Sequence, residues 1–475
     1  MWSIALLNLT RKLADFTFNT TYQDIPAEVV WQIKRLLLDS IGCAIAGLST
    51  EKGKISLEFS KRLKGNTEST IIGTPNKVPS NLAAFANGEL FNALDYEALT
   101  SPSGHISPFV MAAPLALAEA IRASGQELIT ALALSHEIGI RVARGLIPGK
   151  GFFMRIPQKG ITIGLPTHGY GSAIFGGVAG AAKILGFNPD KLCHALGIAG
   201  YMCPIPVVMK FAATVPSSMS KYLSAGWISM TEVMAVLLSD LGYTGDKEIL
   251  DGEFGFWKSF ASEDWLPEEV IVHLGKNWFL PSSISYKAYP CCGAMHHALD
   301  CFYRILEENH LHASDIERID ILINMLADLP LWQNRRIGTH IEAQFSVAYV
   351  FSVAAHRIEI GPEWQDPRTF RNPKILKFMD KINFETYSDY QNAIDKPIVK
   401  VLARERGSGE RRVYTEGTIF MDQPGLNDHQ LADKFLRNVL EVLTKDQAEK
   451  AIHTIFTLEE IKDVSELLKL LRTES

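Results

Sequence analysis

Cysteine is scarce in this chain. Six thiols are spread over 475 residues (Cys43, Cys193, Cys203, Cys291, Cys292 and Cys301), and no two stand in C-x-x-C spacing. That excludes a disulfide framework and a structural zinc site of standard pattern. Long apolar runs are also missing: Ala173 to Leu185 and Met230 to Leu238 contain glycine or stop well short of the about 20 residues a membrane helix needs, so they read as buried helices. No lysine/arginine stripe is present. The densest basic stretch, Arg404 to Arg412, reads as a polar turn between two strands, so neither nucleic acid nor membrane is an expected partner. No G-x-G-x-x-G or G-x-x-x-x-G-K-[ST] follows a predicted strand, which removes the nucleotide cofactors. Arg11 and Lys12 follow Trp2 to Leu7 with no longer apolar segment or cleavage site after them, so no secretory signal is expected and the cytoplasm is the expected location.

What is present is an ordinary globular balance: 47% hydrophobic and 21% charged residues, with a formal net charge of -6. The length exceeds the about 250–300 residues at which single cores usually split, so two domains are expected. The first half reads as closely packed helices, beginning at Pro26 to Ser40, with the small-residue runs Ile41 to Gly47, Phe175 to Gly186 and Ala195 to Gly200. From about residue 285 the texture changes. Arg318 to Asn324, Ile398 to Ala403 and Arg412 to Phe420 are β-branched and partly alternating, with helices at Met295 to Glu308 and Gln344 to Ala355 between them. Helices return at Asp428 to Leu443 and Val464 to Leu471. The fold class is therefore mainly α: a large helical domain over 1–284, a smaller α+β domain over 285–422, and C-terminal helices over 423–475 that pack back on the first, making it discontinuous.

The stretch from Asn92 to His105 holds most of the chemistry. It sets Asp95, Glu97 and His105 in a Pro/Gly/Ser connection between two buried helices, Leu82 to Phe91 and Pro108 to Glu119. The same residues would also serve as an N-cap aspartate and a loop histidine. Lys221, entering a helix that reads as buried, is costly to bury unpaired, so it either meets a carboxylate, the protein's own or a ligand's, or reaches to the surface. Tyr286 to Asp300 places Lys287, two thiols, His296 and His297 at the expected domain boundary, where ligand clefts form. Cys291, Cys292, His296 and His297 fit no zinc spacing, so no metal is expected. His168, ahead of a glycine-rich helix, is placed to meet an anion.

Taken together these segments resemble the MmgE/PrpD family, which includes 2-methylcitrate dehydratase, cis-aconitate decarboxylase and iminodisuccinate epimerase. The resemblance runs through Leu37 to Gly47, Asn87-Gly88, Leu94 to Glu97, and His105 ten positions after Asp95. It continues through Ala181 to Gly186, Lys221 with Gly226, Gly242 to Gly245, Lys287 to Cys292 with His296, Ala343 to Tyr349, and Gln423 to Asp428. It implies a homodimer with a lid formed by the α+β domain, no cofactor, and a small polycarboxylate substrate. It also implies catalytic roles for Asp95, His105, Lys221 and Lys287, with Glu97, His168, Cys292 and His296 binding substrate. The chain departs from the family pattern at Ala98, Leu99 and Gly293, and at Cys292, where cis-aconitate decarboxylase has a histidine. The expected reaction is a dehydration in which His105, oriented by Asp95, moves a proton next to a carboxylate while a lysine stabilises the developing charge. Epimerisation and decarboxylation are the alternatives, and a silent family member is the alternative of another class.

Overall fold

The Ala27–Gly47 helix begins directly after Pro26, whose restricted φ suits a helix entry, and Glu28 in its first turn complements the helix dipole. From Leu36 onward every residue of it is buried. The computed structural model describes residues 7–101, 104–146, 154–156, 161–163, 170–205, 208–260, 265–387, 396–405, 408–417 and 425–473. Around this helix pack the Ser80–Phe91 and Gly125–Leu146 helices, and from the far end of the chain the Asp428–Val439 helix, which an Asn427/Gln430 capping box starts. Among the described residues, no helix is long and apolar enough to cross a membrane.

Ser80–Phe91 also crosses Ala225–Asp240 at Gly88 and Gly226. A Cβ on Gly226 would stand 2.2 Å from the Phe85 carbonyl oxygen, so only glycine permits this approach. The crossing brings Asn92, at the end of one helix, beside the segment leading into the other. Lys221 lies in that segment rather than in the helix, because Ser224 caps the Ala225 start through its side chain.

The second half carries a four-stranded sheet ordered Arg411–Gly417, Ile398–Arg404, Ile316–Ile323, Ile382–Thr386. The first three are antiparallel neighbours, with Tyr414 opposite Val401 and Val401 opposite Ile319; the fourth runs parallel to Ile316–Ile323. Ile319, Ile321, Val399, Val401 and Ala403 are buried, and the sheet packs on the His296–Glu308 helix through its first two strands and on the Val347–Ala355 helix through its fourth. The parallel strand was not legible in the sequence, since Ile-Asn-Phe-Glu-Thr is short and half polar. The expected helix over 344–355 is two helices, His340–Phe345 and Val347–Ala355, divided at Ser346, whose hydroxyl caps the second. The molecule is mainly α.

Candidate active site

Beyond Asn92 the chain turns sharply, and Asp95 adopts φ +53, a left-handed conformation that aspartate tolerates better than most residues. Its carboxylate is buried and meets two ammonium groups. Lys221 Nζ lies 2.6 Å from Oδ1, and Lys287 Nζ lies 2.6 Å from Oδ2. Lys287 Nζ also donates to the Asp95 carbonyl at 2.6 Å, and Lys221 Nζ to the Asn92 carbonyl at 3.1 Å. Lys221 itself sits at φ +52, a strained position for lysine that costs about 1–3 kcal/mol and that the ion pair holds in place. Lys287 arrives by way of Ile284–Ser285, which pairs as a short antiparallel ladder with Leu99–Thr100.

His105 stands next to this triplet. Its Nδ1 lies 2.7 Å from Glu97 Oε1, while Nε2 is 3.9 Å from Asp95 Oδ1. The expectation that Asp95 orients His105 is therefore corrected: both Asp95 oxygens are taken by lysine, and the carboxylate within hydrogen-bond reach is Glu97. Asn92 Nδ2 donates to the same Glu97 oxygen at 2.5 Å, and Glu97 Oε2 has no partner among the described residues. The imidazole stacks on Tyr222 at 4.8 Å between centroids and meets the edge of Tyr170 at 5.4 Å. Gly104, at φ +75, lets Tyr170 approach, since a Cβ there would fall 2.8 Å from its ring. Tyr222 OH accepts from Asn92 and lies 3.3 Å from Asp95 Oδ1, to which it donates.

Charge pairing outweighs burial for both acids. Burial pushes the Asp95 carboxyl up, but Lys221, Lys287 and His105 hold it well below the usual range. Burial likewise opposes Glu97, and His105 brings it below its ordinary value. The lysines diverge. For Lys221 burial prevails over Asp95 and Glu97, and the ammonium is pulled down; for Lys287 the same carboxylates, with Cys292, prevail over burial and raise it. The Tyr170 and Tyr222 phenols are pushed up by burial and by Asp95, so both are neutral.

The structure thus brings Asp95, Glu97, His105, Lys221 and Lys287 into one cluster. Cys292 is half-buried at its edge, with a thiol pushed up to about 11 by burial and then by Asp95. His296 makes its contacts beside the cluster: its Nε2 meets the Cys291 carbonyl at 3.3 Å and its ring the edge of Tyr289, while burial and then the Lys287 charge pull its pKa down to about 3. His168 lies outside the described residues. Asn92, Tyr170 and Tyr222 were not among the site residues expected from sequence, although Tyr222 directly follows Lys221 and Asn92 opens the acidic stretch. Among the described residues, no group of three or more His, Cys, Asp or Glu could hold a metal ion.

The chain matches the models of a known family along almost its whole length. The MmgE/PrpD N-terminal domain matches residues 11–268 and the MmgE/PrpD C-terminal domain residues 289–460. The chain belongs to the MmgE/PrpD family. Relatives within reach of comparison include the cis-aconitate decarboxylases of mouse (25% identical, covering 99% of this chain and 94% of the relative) and human (26%, 99% and 96%). That of Aspergillus terreus is 24% identical, covering 99% and 97%. Among MmgE/PrpD members, then, this chain is similar over 99% of its length to proteins named as cis-aconitate decarboxylases.

Proposed function

We propose that the protein is a lyase of the dehydratase type, acting on a small polycarboxylate such as citrate or 2-methylcitrate by proton transfer at a carbon next to a carboxylate. The observation that carries this reading is the His105 imidazole, backed at 2.7 Å by the buried Glu97 beside the Lys221–Asp95–Lys287 triplet. A carboxylate behind Nδ1 favours the tautomer whose Nε2 lone pair is free to take a proton. His105 Nε2 removes the carbon-bound proton, and the electron pair moves into the carboxylate as enediolate charge, which Lys287 faces. The pair then returns to form the carbon–carbon double bond as the neighbouring C–O bond breaks. The hydroxyl leaves as water with a proton from Lys221, the ammonium that burial makes the readier donor.

In the state that this proton transfer requires, with Asp95 and Glu97 ionised, both lysines protonated and His105 carrying a proton on Nδ1 alone, the cluster has no net charge. It becomes positive as His105 takes the proton, at the moment the substrate gains enediolate charge. Stabilisation is therefore greater in the transition state than in the ground state. A second reading, decarboxylation, is favoured by the names of the full-length relatives; there the carbon–carboxylate bond breaks, carbon dioxide leaves in place of water, and a His105 that enters the cycle protonated on Nε2 gives that proton to the carbanion left behind.

The test is to offer citrate, 2-methylcitrate, cis-aconitate and iminodisuccinate to the purified protein. Enoate absorbance, carbon dioxide release and deuterium uptake from solvent are then followed. Alkene formed from a hydroxy acid supports dehydration, carbon dioxide from cis-aconitate selects the second reading, and deuterium uptake without alkene selects epimerisation. No turnover or exchange on any of them would refute the enzyme reading. The same family reading takes 285–422 as a lid over the helical domain and the chain as a cytoplasmic homodimer. The exposed Trp227, Met234 and Leu237, on one helix, offer an apolar surface for a second copy. Light scattering is expected to give twice the chain mass, and a monomer would sink that part.

A further inference from the structure

Lys434 lies far from the acidic stretch in sequence and on a helix that contributes nothing to the cluster itself. Its side chain is 1% exposed, and its ammonium is fully engaged. Nζ lies 2.7 Å from Asp39 Oδ1, donates to the Tyr96 carbonyl at 2.7 Å and to the Lys287 carbonyl at 3.0 Å, and sits 3.8 Å over the Tyr96 ring. Asp39 passes the contact on, since its Oδ2 accepts from the Ala98 backbone N–H at 2.9 Å. One ammonium thus grips the two backbone segments that carry the cluster: Asp95 to Ala98 on one side and Lys287 on the other. Lys287 closes the ring by returning its own ammonium to the Asp95 carbonyl and carboxylate, both at 2.6 Å.

From this ring we infer that Lys434 and Asp39 form a positioning pair that sets the separation of the Asp95–Glu97 turn from Lys287, and through Glu97 the aim of His105. The inference rests on the proposed reading of the cluster as the catalytic site. Lysine suits the post because its three donors spread to three oxygens from one point, whereas a guanidinium is a planar fork that matches a single carboxylate. Displacement of a reacting group by about 1 Å can cost about a hundredfold in rate without weakening binding to match.

The test compares Lys434→Arg, which keeps the charge and changes the geometry, with the wild type and with His105→Ala. Turnover is measured on the substrate of the four above that the wild type converts fastest. The His105 ring resonances are followed in 15N-histidine-labelled protein, a readout that needs no substrate. In folded Lys434→Arg, kcat is expected to fall by about a hundredfold with KM within about threefold of the wild type, and the Nδ1 resonance of His105 to move. Unchanged kcat with unmoved His105 resonances would overturn the inference, as would a loss expressed wholly in KM. If Lys434→Arg does not fold, the uncharged pair Asp39→Asn/Lys434→Gln is measured in the same way, and wild-type kcat and resonances there would overturn it equally. Full turnover in His105→Ala defeats the reading of the site itself; a dead His105→Ala beside a normal Lys434→Arg defeats only the positioning role.

Discussion

His105→Ala is expected to lower kcat/KM by about 10²–10⁴-fold, the range a positioned acid–base side chain contributes. The fold should survive. Glu97 keeps its Asn92 donor at 2.5 Å, so removal of the imidazole leaves that carboxylate with one of its two side-chain donors rather than none. Loss of one such hydrogen bond and the Tyr222 stack costs about 1–3 kcal/mol, small enough for far-UV circular dichroism to stay that of the wild type. Because the deleted ring leaves space beside the touching Tyr170 and Tyr222 rings, added imidazole is expected to restore part of the rate. Kinetics matching the wild type, in protein verified by mass, would remove His105 from the chemistry.

Asp95→Asn is expected to have the largest effect on stability. Asparagine keeps the shape and tolerates φ +53, so what is lost is charge, and Lys221 and Lys287 are left as two buried ammonium groups without their carboxylate. Removing one partner of a buried ion pair costs about 3–5 kcal/mol, and here two pairs share the partner. The pH dependence carries the same signature. Asp95 is depressed in the folded state, so its contribution is fully present above its ordinary value of 3.8 and is lost as pH falls below that toward the folded value. Urea midpoints measured from neutral pH downward are expected to drop steeply for the wild type in that acid window, and Asp95→Asn should lack that component. Parallel curves for the two proteins would show that the triplet contributes nothing to stability.

The mainly helical character was legible because apolar periodicity and small-residue runs are local properties, as in Leu36 to Gly47 and Ile174 to Ile184. Three of the four sheet strands were legible for the same reason. The fourth, Ile382–Thr386, was not, because its pairing with Ile316–Ile323 is decided by the partner and not by its own half-polar sequence. The break at Ser346 was hidden by the apolar residues on both sides of it.

By itself the sequence determined that carboxylates, an imidazole and two lysines stand in a spacing shared with a known family, and that a buried Lys221 would need a carboxylate. Only the tertiary structure decided which carboxylate serves which cation. Lys221 and Lys287 lie 126 and 192 positions from Asp95, and each takes one of its oxygens, so the histidine ten residues away is left to Glu97. Ion pairing acts through distance in space, and the hydrogen-bonding capacity of one carboxylate is finite; neither constraint is written in the order of residues along the chain.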